Sequence, residues 1–254
     1  MAEVRAEVLE GGGLLRLVLD QPKGNILSQA MMAGLAEHLS KHAADKALRL
    51  VLIQGANGQF CWGASVEEHR REQAPGMLRA FSRLVRQMIS YPSPIACLVE
   101  GRCLGGGFEL ALASQLVFAT PDAQMGCPEI KLGVFPPVLA ALGPWRLGGG
   151  LSDRLLLTGE TISGSQAHVI GFSQLVAGFD DVLAWYRAGP AKLSAFALRI
   201  AAQAARLGAG AERQAGDALE SLEKLYLEKV LPSRDGSEGI EAFLSRRPPR
   251  WEDA

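Results

Sequence analysis

No apolar run in this 254-residue sequence approaches the ~20 residues that a membrane-spanning helix needs. The opening stretch MAEVRAEVLEGGG is acidic and poor in apolar side chains, which is not the composition of a secretory signal. Neither sign of charge is in excess. Lys and Arg total 26, Asp and Glu 27, and the formal net charge is -1. That excludes a broad basic field for nucleic acid and a polybasic tail for a membrane surface. Cysteine is scarce: Cys61, Cys97, Cys103 and Cys127 follow no zinc-ligand spacing, and the first three lie in or beside apolar runs. Reduced, buried thiols, no metal and a cytoplasmic location are expected. Repeats and low-complexity segments are absent too.

What is present is an ordinary globular composition, 48% hydrophobic and 21% charged, in a chain long enough for one sizeable domain or one domain with a small C-terminal addition. Val4 to Leu9 and Leu14 to Leu19 read as a β-hairpin. Ser28 is a good N-cap for a helix over about 29–43. Leu48 to Gln54, IACLVEG and QLVFAT read as buried strands separated by loops and helices, so the expected class is α/β with largely parallel strands. After about residue 190 the pattern is helical. LSAFALRIAAQAARLG should stop at Gly208 and Gly210, AGDALESLEKLYLEKVL is amphipathic, and SEGIEAFLSRR forms a last short helix. The reading is a core over 1–190 and a helical region over 191–254 that packs on a partner as well as on its own core.

The stretch CLGGGFELAL, Cys103 to Leu112, places Glu109 on the first turn of a helix that otherwise reads as buried. A buried carboxylate needs partners or a shifted pKa. The glycines free the backbone for unusual angles and close approach, and a helix start presents unpaired N–H groups. Phe108 and Glu109 stand where a phosphate loop needs Lys and Ser or Thr, and Leu110 stands where the dinucleotide pattern needs Gly. An oxyanion site or close helix packing remains. FCWGASVEEH, Phe60 to His69, offers a second free N–H at Ala64. GCPEIKLGVFPP, Gly126 to Pro137, places Glu129 in a mostly apolar segment. Two carboxylates at apolar positions and two amide donors suit acid–base chemistry on an activated carbonyl.

Gly63-Ala64, Gly105-Gly106-Gly107-Phe108-Glu109 and Pro128-Glu129-Ile130 resemble the three signature blocks of the enoyl-CoA hydratase/isomerase (crotonase) family. LDQPKGNILS is similar to its CoA-binding loop, LTGETISGSQAHVIGFSQLV to its TG…I…A…G…V segment, and EGIEAFLSRRPPRW to its C-terminal helix; the likeness weakens over about 177–190. The resemblance implies a crotonase-like spiral of ββα units with a C-terminal region used to form trimers or dimers of trimers. It implies an acyl-CoA substrate and no separate cofactor, CoA being part of the substrate. The thioester oxygen would lie between the N–H groups of Ala64 and Gly106. Glu109 and Glu129 would hold one water, with Glu129 the main proton-transfer residue. Two glutamates favour hydration over isomerisation.

Where common hydratases of the family read Gly-Ala-Asp, this chain reads Gly63-Ala64-Ser65. With CLGGGFEL and PEIKLGVFPP, that string is similar to the cyclohexa-1,5-diene-1-carbonyl-CoA hydratases of anaerobic benzoate breakdown. The expected product is 6-hydroxycyclohex-1-ene-1-carbonyl-CoA. Trp62, Phe108 and Phe135 are candidates for a flat acyl pocket with Pro136-Pro137, although on composition Phe108 and Phe135 are read first as core. Lys23, Gly63, Phe243 and Arg247 fall in the segments similar to the family's CoA-binding parts. His69 reads more simply as a packing or solvated residue than as a base. A straight-chain enoyl-CoA hydratase or isomerase is the alternative, and a non-catalytic, RNA-binding member of the fold is a third reading.

Overall fold

The chain is described from a computed structural model covering residues 3–210 and 214–252. β1 (Val4–Leu9) and β2 (Leu14–Leu19) form the expected antiparallel hairpin, with Val4 opposite Leu19. β1 is the outer strand of a six-stranded sheet. Its outward side carries Arg5 and Glu7, and Glu7 reaches Arg16 on β2 at 2.9 Å. Charges of this kind discourage edge-to-edge pairing with another chain.

The other strands of that sheet are β3 (Leu50–Gly55), β4 (Ile95–Val99), β6 (Leu116–Ala119) and β9 (Gln174–Leu175), all parallel from β2 onward. A second sheet joins β5 (Arg102–Leu104), β7 (Gln124–Gly126) and β8 (Thr161–Ser163). Each turn of the chain adds a rung to both sheets. The isolated pairings Leu27 with Ala64 and Cys61 with Cys103 lead into the β5–β7 pair, while β3, β4 and β6 extend the large sheet. Helices α1 (Gln29–His42), α2 (Ala74–Ile89) and α3 (Gly106–Ala113) close successive turns, giving a spiral of ββα units.

The central strands are apolar on both faces because both are covered. On β3, Val51 and Ile53 point into the main core, and Leu50 and Leu52 into a smaller cluster with Val182 and Tyr186 of α7 (Phe179–Ala188). α1 begins at Ser28, whose hydroxyl accepts the Met31 N–H at 3.1 Å. Its Met31, Met32, Leu35 and Leu39 are fully buried. Each such side chain contributes roughly 1.5–3 kcal/mol, which offsets the entropy of ordering the helix.

Helix α8 (Ala195–Ala209) ends at Gly210 in the left-handed conformation; Gly208, expected to share in the stop, lies inside the helix. Arg206 is buried and donates to the carbonyls of Tyr91 and Ser93, which pins α8 to the loop between α2 and β4. The next amphipathic stretch contains a π turn at Gln214–Ala218, an α-helix at Leu219–Leu225 and a second π turn at Tyr226–Val230. The last helix, Arg234–Leu244, starts earlier than its sequence suggests because Ser233 caps it. Leu219, Tyr226 and Ile240 pack into the main core. α8 instead exposes Phe196, Ile200 and Leu207. No helix among the described residues is long and apolar enough to cross a membrane.

Candidate active site

β5 leads into α3 through Gly105, whose backbone has φ 50° and ψ −128°. Side chains other than glycine avoid that region. A β-carbon there would also stand 2.5 Å from Oε1 of Glu129. At Gly107 the constraint is packing alone. A β-carbon would meet the Cβ and carbonyl oxygen of Cys61 at 2.7 Å. The glycine run therefore brings α3 down onto the Cys61–Ala64 segment and lets Glu129 lie against its start. All four cysteines are free and buried, as the sequence suggests.

The start of α3 lies beside Ala64. A β-carbon on Gly106 would be 3.4 Å from the Ala64 nitrogen. Gly106 is the first residue of its helix, so its N–H has no intrahelical acceptor. Neither this N–H nor that of Ala64 has a hydrogen-bond acceptor among the described residues. Gly63, at φ 111°, turns the chain into Ala64, and its carbonyl accepts the Leu27 N–H at 2.9 Å.

Glu109 is 3% exposed. Its Oε1 accepts two N–H groups from the first turn of α4 (Pro137–Leu147): Val138 at 2.7 Å and Leu139 at 3.0 Å. Pro136 and Pro137 set up that turn, so the PP pair shapes a donor site for a carboxylate. Glu129 enters from the 3-10 helix Pro128–Leu132. The residue keeps some exposure, but its Oε2 is buried and has no partner among the described residues. Burial pushes the Glu109 carboxyl up to about 7, and the two amides only partly offset it. Burial, then the neighbouring charge of Glu109, pushes Glu129 up to about 8. The two form one coupled pair that carries a proton close to neutral pH.

Other residues singled out in the sequence lie at varied places. Phe108 is fully buried, edge-on to Phe172 with centroids 5.8 Å apart, so it belongs to the core rather than to a pocket wall. Its neighbour Glu109 leaves the helix about 100° away. Trp62 is exposed. Its ring lies on Gly24, Arg102 stacks on it at 4.7 Å, and its N–H reaches Gln59 at 2.9 Å. It clamps the Lys23 loop to the Cys61–Ala64 segment instead of joining the carboxylates, because that loop takes the ring's inner face. The Asn25 side chain holds the same two loops together through the carbonyls of Ala56, Gln59 and Phe60. Lys23 itself is exposed, at φ 68°.

Phe135 is half-buried and packs against Tyr226 at 5.5 Å. A cavity of about 250 Å³ opens beside that pair, lined by Val134, Tyr226, Ile240, Glu241 and His69. His69 donates from Nδ1 to the Ser65 carbonyl at 2.7 Å, and burial pushes its pKa down, so it is a neutral packing residue. Phe243 is exposed on the last helix, and Arg247 is held by Glu238 at 2.7 Å. Among the described residues, no hydrogen bond, ion pair or ring contact joins either to Lys23. Tyr226 has no signal in the sequence beyond one aromatic on an amphipathic helix, yet it is 2% exposed with a buried hydroxyl that has no partner among the described residues.

A two-sheet ββα spiral with a buried carboxylate pair beside the free amides of Ala64 and of Gly106, the first residue of α3, defines an acyl-thioester enzyme scaffold, and the chain belongs to the enoyl-CoA hydratase/isomerase family, whose profile it matches over residues 10–254. By class it is a hydro-lyase, an acyl-CoA hydratase. It is 42% identical, over 95% of its own length and 94% of the relative's, to cyclohexa-1,5-dienecarbonyl-CoA hydratase of Thauera aromatica. It is 30% identical, over 98% and 90% of the two chains, to the human mitochondrial enoyl-CoA hydratase domain-containing protein 2. The crystal structure of an enoyl-CoA hydratase/isomerase from Xanthobacter autotrophicus Py2 superposes with a TM-score of 0.84 at 25% identity, covering 96% of this chain and 93% of that one.

Proposed function

We propose that this protein adds water to cyclohexa-1,5-diene-1-carbonyl-CoA to give 6-hydroxycyclohex-1-ene-1-carbonyl-CoA. The observation that carries the reading is the coupled, buried pair Glu109 and Glu129 next to the free amides of Gly106 and Ala64. It is supported by the 42% identity to the Thauera aromatica enzyme of that name.

The Ala64 and Gly106 N–H groups donate to the thioester oxygen and stabilise the enolate; one such donor is typically worth about 3–4 kcal/mol. Glu109, anchored through Oε1, holds the water. Glu129 takes a proton from it while the water oxygen bonds to the ring carbon β to the thioester. The electrons move through the dienolate, and Glu129 returns the proton to the far end of the diene. One C–O and one C–H bond form, and the remaining double bond shifts toward the thioester. CoA enters with the substrate, and no separate cofactor takes part. Lys23, Gly63, Phe243 and Arg247 would contact CoA, and Phe135 would face the ring. The same reading makes 1–190 the catalytic core and 191–254 a trimerisation region of a cytoplasmic homotrimer or dimer of trimers, which the exposed Phe196, Ile200 and Leu207 of α8 support.

A panel assay tests this. The purified protein should hydrate the cyclic dienoyl-CoA much faster than crotonyl-CoA. The reverse preference would replace the reading with a straight-chain enoyl-CoA hydratase.

A further inference from the structure

The hydroxyl of Tyr226 is a buried polar group beside the site that the two-carboxylate scheme leaves unused. It is buried and makes no hydrogen bond among the described residues, and the same holds for Oε2 of Glu129. A hydroxyl left in that condition costs about 1–3 kcal/mol, so a persistent pair of such atoms points to a missing shared partner. The two residues belong to one local structure. Val134 donates its N–H to the Glu129 carbonyl at 3.3 Å, Phe135 packs on the Tyr226 ring, and Val134 and Tyr226 line the same cavity of about 250 Å³. After burial, the charges of Glu129 and then Glu109 push the phenol pKa up, so Tyr226 keeps its proton to donate.

The backbone adds a separate observation. Tyr226 opens a π turn, and its carbonyl accepts the N–H of Leu231, five residues on, at 2.9 Å. Such wide turns are rare and recur at functional sites. This one sets the only tyrosine of the C-terminal helices into the core instead of along their exposed side.

We propose that Tyr226 is a further residue positioning the substrate water: its hydroxyl donates to the water oxygen while Oε2 of Glu129 accepts from the same water. The proposal rests on the hydratase reading of the carboxylate pair. An ordered water needs at least two polar partners, and these two unpartnered atoms would supply them. The phenol keeps its proton throughout. The water proton goes to Glu129, and the water oxygen bonds to carbon.

Tyr226→Phe keeps the ring and its packing on Phe135, so it removes only the hydroxyl. Two readouts are needed. On the cyclic dienoyl thioester, kcat should fall at least about tenfold with KM little changed and the melting temperature held. By infrared titration of the carboxyl, with Glu129→Gln assigning the band, the Glu129 midpoint should move up, since the water that donates to the ionised carboxylate has lost the hydroxyl that fixes it. An unmoved midpoint overturns the proposal whatever the activity, and so does a kcat within twofold of the parent. A raised midpoint in a protein inactive on every unsaturated thioester would retire the hydratase reading and leave the Tyr226–Glu129 link standing.

Discussion

Gly105 and Glu129 are in such close contact that a β-carbon on the glycine would stand 2.5 Å from the carboxylate oxygen Oε1. The glycine that starts α3 and the carboxylate proposed to move the proton are thus one steric unit, 24 residues apart in sequence.

Gly105→Ala should therefore do two things. The positive φ costs roughly 1–3 kcal/mol for a residue with a side chain, read as a lower urea midpoint. The new methyl also displaces Glu129, so kcat should fall by more than the stability loss accounts for. A variant with lowered stability and full activity would show that Glu129 is not needed where it lies.

Glu109→Gln should fold, because an amide oxygen can still accept the N–H groups of Val138 and Leu139. Hydration should fall by about 10²–10⁴, followed by loss of the enoyl-thioester absorbance. Glu129→Gln should lose a similar factor. An isomerase would survive the first change and fail only with the second.

Stability should decline as pH rises toward and past neutrality. Both carboxyls have folded pKa values above their ordinary 4.5, chiefly through burial. The fold binds their protons more tightly than the unfolded chain does, so their contribution is full below about pH 4.5 and lost as pH rises through about 7 and 8. Thermal melts at pH 5, 6, 7 and 8 should show this slope, at roughly constant ionic strength. Glu129→Gln should flatten it. A slope of the opposite sign in that comparison would mean the pair is ionised and well paired in the fold.

Phe196→Glu with Ile200→Glu on the exposed face of α8 should shift the protein toward monomer in light scattering after gel filtration, with the melt of the core nearly unchanged. An unaltered mass would move the subunit contact elsewhere.

Much of this was legible in the chain. The β1–β2 hairpin, α1 with its Ser28 cap, the parallel strands and a carboxylate on the buried first turn of α3 all follow from local patterns, because hydrophobic periodicity and capping act within a few residues. Phe108 and Trp62 were less legible as pocket residues, since whether an aromatic faces a core, a loop or a pocket depends on neighbours distant in sequence. Phe172 takes one of them, and Gly24 with Arg102 the other.

The sequence by itself determined the chemical parts: two glutamates in apolar settings, a glycine run before a helix, and free amides at Ala64 and Gly106. Only the tertiary structure decided how they act together. It put α4 amides on Glu109, set Glu129 beside the glycine run, raised both pKa values by removing water from them, and turned a helix tyrosine inward. Desolvation and charge coupling depend on what surrounds a group in space, and no local spacing encodes them.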